Sequence, residues 1–181
     1  VQDQAIGSMI GLGGQMLRII PYVLQVRFLG DNFQPVYFDQ TYDLYRIQKY
    51  SIYAQETEVP GYIGWSAQSG FSLAGGLFSV NAEIAGPFGT TTDILPELEL
   101  LFALNEGLIP GLSTQAYYQK KNISAIAEII NPQNAVIGAR INYRTGPAVI
   151  SLLYNLRYDP YSDSDSPWQV NSGLETTISL N

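Results

Sequence analysis

Glu97 and Glu99 stand two residues apart, and in an extended chain that spacing puts both carboxylates on one face, where a pair could serve acid–base chemistry. A solvated strand face accounts for them far better, and little else in the chain supports catalysis. There is no His and no Cys, which removes the commonest general base, the Ser-His-Asp triad, thiolate nucleophiles and the usual zinc ligands. In "DPYSDSDS", Asp159, Asp163 and Asp165 could hold a surface Ca²⁺ ion weakly, but the Gly and the distal Glu of an EF-hand loop are missing. A hydrophilic loop explains them better. The glycine-rich stretches "GLGG" (residues 11–14) and "GPFGTTTD" (residues 86–93) lack the Lys of a phosphate loop and the third Gly of a dinucleotide fingerprint, so they read as turns. The expectation is a protein without catalysis, cofactor or resident metal.

The remaining charged residues follow a different logic. Arg27, Glu83, Glu99, Glu128, Arg140, Arg144, Arg157 and Glu175 each fall on the polar side of a run in which apolar and polar residues alternate. From residue 135 the odd positions are Ala135, Ile137, Ala139, Ile141 and Tyr143, against Val136, Gly138, Arg140, Asn142 and Arg144. After Thr145-Gly146-Pro147 the pattern resumes, with Ala148, Ile150, Leu152, Tyr154, Leu156 and Tyr158 on one side. Period two means β-strand. Similar runs cover residues 20–28, 63–73, 78–84, 98–104, 112–120, 123–130 and 168–180, with a Gly75-Gly76 turn and a turn at residues 131–134. Residues 30–58 are mixed: Asp39, Asp43, Arg46 and Lys49 fit helical spacing, while the Tyr-rich composition favours strand plus loop.

These runs imply a single all-β domain over residues 1–181, an antiparallel meander of about 10–12 strands closing as a barrel or stacking as a sandwich. Several runs match the roughly 9 to 11 residues a tilted strand needs to cross a bilayer, whereas strands of soluble domains average about 5 to 6. Only 14% of residues are charged, against about 25% in soluble domains. Aromatic residues fall near the ends of the runs: Tyr22, Phe28, Tyr62, Tyr143, Tyr158 and Trp168. Such residues favour membrane–water interfaces. A net charge of −7 with no basic run beyond Lys120-Lys121 excludes a nucleic-acid partner. The stretch from residue 5 to residue 28 is interrupted by Gly, Arg18 and Pro21, so it is no transmembrane helix.

The hairpin "VIGARINYRTGPAVISLLYNLRYDP" and the run "WQVNSGLETTISL" resemble the C-terminal hairpins of bacterial outer-membrane β-barrel proteins. Over residues 61–180 the likeness is one of superfamily pattern: Gly173 and Ile178 fit the closing strand loosely, and Leu180 and Asn181 replace its usual terminal aromatic. The resemblance implies an up-and-down transmembrane barrel in the bacterial outer membrane, porin-like or structural. Its partners would be the lipid bilayer and further copies or other envelope barrel proteins. The charged residues named above would line its lumen and the named aromatics would mark its interfaces. Because so few strands leave a narrow interior, an open channel implies a larger barrel, with this chain as the C-terminal portion of a longer one or joined by a second chain. The alternative is a soluble β-sandwich or surface module that binds through Tyr-rich loops.

Overall fold

The computed structural model describes residues 5–35, 42–89, 94–158 and 166–178. Nine strands follow one another: β1 (Gly7–Met16), β2 (Ile20–Leu29), β3 (Tyr62–Leu73), β4 (Phe78–Pro87), β5 (Glu97–Leu104), β6 (Leu112–Lys120), β7 (Ala135–Thr145), β8 (Ala148–Tyr158) and β9 (Trp168–Ile178). A helix, α1 (Tyr42–Tyr53), lies between β2 and β3. Each strand pairs antiparallel with the next, giving one nine-stranded sheet in sequence order. The all-β, up-and-down expectation holds.

Among the described residues the sheet is open, with β1 and β9 as its edges. Three expectations need correction. The described strands number nine, because residues 123–130 form no strand: Ile126–Ile130 is a short 3-10 turn. The "GLGG" stretch is no turn but the middle of β1, where Gly11, Gly13 and Gly14 pair with Gln25, Val23 and Tyr22. Tertiary pairing overrides the poor strand preference of Gly there. Within residues 30–58 the helical spacing wins: α1 buries Lys49 and Ile52 and exposes Ile47, Tyr50 and Tyr53. Alternation fails in this stretch because a 3.6-residue period, not a 2-residue one, puts Lys49 and Ile52 on one side.

The connections sort by length between the two ends of the sheet. Residues 17–19, 74–77, 105–111 and 146–147 make short turns at one end, while residues 30–61, 88–96, 121–134 and 159–167 make longer connections at the other. Gly75, Gly76 and Gly146 have φ of 69°, 92° and 58°, the left-handed backbone that tight turns place on Gly. The longest connection is stapled at its base. The Asn32 and Val59 backbones pair, Asn32 Oδ1 accepts the Val59 N–H at 2.8 Å, and Asp31 Oδ1 accepts the Gly61 N–H at 2.6 Å. Among the described residues no helix is long and apolar enough to cross a membrane, which says nothing about crossing by strands.

Candidate functional site

Side chains alternate across the sheet, so register decides which residues share a face. One face carries Leu24, Ala67, Ile84 and Leu98 in a single row, and Ile137, Leu156 and Val170 in another. The opposite face carries the row Val23, Gln68, Glu83, Glu99, Gln119, Val136, Arg157. The burial of the two faces is the reverse of a soluble protein's. On the polar face Ser66 is 2% exposed and Ser151 6%, and Tyr117 and Gln119 are buried; on the apolar face Leu24 is 47% exposed and Leu174 71%. A single layer shields one side only by curling toward it, so from β2 to β8 the polar side is the enclosed one, while β1 and β9 are exposed on both faces.

Two hydrogen-bonded groups hold that side together. Arg27 on β2 reaches over β3 to Glu83 on β4, with Nη2 at 2.7 Å from Oε1, and also donates to Gln25 Oε1 at 3.2 Å. Ser66 donates to Gln25, and Gln68 donates to the second Glu83 oxygen at 2.9 Å. Beside this group lies a cavity of about 250 Å³, lined by Gln68, Asn81, Glu83, Glu99, Pro21 and Leu101 among others. In the second group Tyr117 on β6 crosses over β7 to give its hydroxyl proton to Asn155 on β8 at 2.6 Å. These three strands align Tyr117, Gly138 and Asn155 in one row. A Cβ on Gly138 would overlap the Tyr117 ring, so only Gly lets the ring lie across. Ser151 donates to Asn142, which donates to Ser113, continuing the network toward the short turns.

The structure places Arg27, Glu83, Glu99, Arg140, Arg144, Arg157 and Glu175 on the polar face. Arg140 pairs with Glu175 at 3.2 Å, and Arg144 pairs at the rim with Glu106 of the 105–111 turn at 3.0 Å. Glu128 is the exception and is corrected. It sits in the 3-10 turn outside the sheet, where its carboxylate accepts the Ser124 backbone N–H at 2.9 Å. That hydrogen bond, above all, holds its carboxyl below the usual carboxylate range. Sequence reasoning missed Gln25, Ser66, Gln68, Glu106, Tyr117 and Asn155. All but Glu106 stand at polar positions of alternating runs; what the sequence does not show is which of them meet across strands.

Among the named aromatics, Tyr22 and Tyr143 lie toward the short turns and Phe28, Tyr158 and Trp168 toward the long connections, all on the apolar face. Tyr158 and Trp168 pack edge-to-face with centroids 5.3 Å apart. Tyr62 is on the polar face, opposite to Ile63. The apolar face has one charged strand position among the described residues, Lys120. The 121–134 connection folds over it, and its ammonium donates to the backbone carbonyls of Asn131 and Gln133, leaving the residue 2% exposed. Asp159, Asp163 and Asp165 lie outside the described residues, as does Asp39; no metal-binding acidic cluster occurs among the described ones. No family model, curated protein or solved structure matches this chain.

Proposed function

We propose that this sheet is the wall of a bacterial outer-membrane β-barrel, a porin-like passive diffusion channel or a structural barrel, with its apolar face in hydrocarbon and its polar face toward the lumen. The observation that carries this is the reversed burial. Ser66, Gln119, Tyr117 and Ser151 are enclosed, while Leu24, Phe28, Ile63, Leu152 and Leu174 are uncovered on a face with no second layer of described residues. Soluble monomers rarely leave so continuous an apolar surface to water. Two further features support the reading. Short turns at one end and long connections at the other match the periplasmic and extracellular ends of such barrels. The cations of the strands avoid the apolar face, where each would cost about 2–4 kcal/mol at mid-depth, except Lys120, which is shielded from it.

In this role the chain performs no covalent chemistry. The polar face offers solutes mixed charge, Arg27, Arg140, Arg144 and Arg157 against Glu83, Glu99 and Glu175, and ion pairs hold Arg27 to Glu83, Arg140 to Glu175 and Arg144 to Glu106. The rival reading, a soluble or surface module that binds through Tyr-rich segments, draws support from the exposed Tyr50 and Tyr53 of α1. Flotation separates the two. Refolded with phosphatidylcholine vesicles and spun through a sucrose gradient, the chain should rise with the lipid and precipitate or aggregate without detergent. A chain that stays folded and monomeric in plain buffer and leaves the vesicles unbound overturns the membrane reading.

A further inference from the structure

The two outer strands are built unlike edges of a finished sheet. β1 pairs with β2 along its whole length, from Gly7 with Leu29 to Met16 with Ile20, and β9 pairs with β8 from Trp168 with Tyr158 to Ile178 with Ala148. Both are thus as long as the interior strands. Soluble proteins protect edges with short strands, Lys, Pro or bulges; β1 has no charge and no Pro, and β9 has one charge, Glu175. Each leaves an outer row of backbone N–H and C=O groups without a ladder partner among the described residues. The group that fits such a row is another β-strand.

Direction then limits what that strand can be. Every step from β1 to β9 is antiparallel, so the ninth strand runs the same way as the first. Joining β1 directly to β9 would make a parallel seam in an otherwise antiparallel sheet. A ring of identical copies, β9 of one against β1 of the next, makes the same parallel seam. Copies related by a two-fold axis would pair antiparallel, but would send the long connections 30–61 and 121–134 out of both ends, losing the one-sidedness of the sheet.

We propose that β1 and β9 are open seams, completed in the working protein by an odd number of further β-strands, antiparallel to both, from polypeptide that is not a copy of this sheet. The topology sets the parity. The force of the requirement rests on the membrane reading, since hydrocarbon offers unpaired backbone groups no substitute partner.

The chain has no Cys, so introduced pairs report cleanly. Ser8→Cys or Leu12→Cys in β1 is combined with Val170→Cys or Leu174→Cys in β9, in the full chain in detergent. The expected result is no disulfide within a chain or between two differently tagged copies, with outer-edge amides of β1 and β9 exchanging roughly 100-fold or more faster than those of β4 and β5. In a second arm one strand, a repeat of residues 148–158 bearing a single Cys, is appended after Asn181 through a short turn, or two strands are. One added strand should cross-link to Leu12→Cys and slow β1 exchange; two should not. A β1–β9 disulfide within one chain, or between copies, overturns the proposal, as does closure by two added strands. If the extended chains fail to fold, the first arm alone decides. A chain that fails the vesicle test but keeps this cross-link pattern defeats the membrane reading and leaves the seams standing.

Discussion

Gly138 shows how much a single missing side chain positions. Because Gly138 lacks a Cβ, Tyr117 can cross β7 and tie β6 to β8 through Asn155. Gly138→Ala puts a methyl group into the ring. The ring must leave its position, and the hydrogen bond goes with it. The expected loss is about 1–3 kcal/mol of stability, the usual cost of overpacking, read as a lower denaturant midpoint. Tyr117→Phe keeps the ring and removes only the hydroxyl, so it should cost about 0.5–1.5 kcal/mol. Equal costs for the two would mean that the ring does not depend on the bare glycine. Arg27 is a second positioning residue: by holding Glu83 it offsets the repulsion of Glu83 and Glu99, which register directly opposite each other.

At the scale of an element, an interior strand has one enclosed and one uncovered side. In β8, Ser151, Asn155 and Arg157 face the enclosed side, while Ile150, Leu152 and Tyr154 face outward and are all at least partly uncovered. The environment of the outward side is therefore testable by substitution. Leu152 is half exposed and pairs in register with Ile141 and Leu174. Leu152→Arg in water should change stability by no more than about 0.5 kcal/mol, as at most surface sites. In a bilayer it should cost about 2–4 kcal/mol. Unfolding titrations in vesicles distinguish these, and a near-zero cost there would place solvent, not lipid, beside β8.

For the whole molecule, the enclosed face is a charge pattern with a direction. Arg140, Arg144 and Arg157 concentrate cations on β7 and β8, and Glu83 and Glu99 place anions on β4 and β5. If this face lines a channel, Arg140→Glu with Arg144→Glu should move ion selectivity toward cations in planar-bilayer recordings of channels containing the chain. Unchanged selectivity would remove both residues from the pore lining. Arg144 lies nearer the short turns, paired with Glu106, so its effect should depend on the side from which salt is varied.

Much of this arrangement was legible in the residues alone. Alternation of period two fixes each strand and its greasy side, because a pleated backbone sends neighbours to opposite faces whatever lies beyond. That logic located β2 through β9 and sorted Arg27, Glu83 and Arg140 onto the wet side. It failed where local pattern and long-range pairing disagree: at β1, whose glycines are strand only because β2 lies beside them; at Glu128, whose alternating neighbours form a 3-10 turn; and at α1. Which polar groups meet, such as Tyr117 with Asn155 over Gly138, depends on register between strands distant in sequence. So does the openness of the sheet. Only the tertiary structure decided these, because a strand's own residues specify its two faces but not the direction or identity of the neighbour that its backbone will bond.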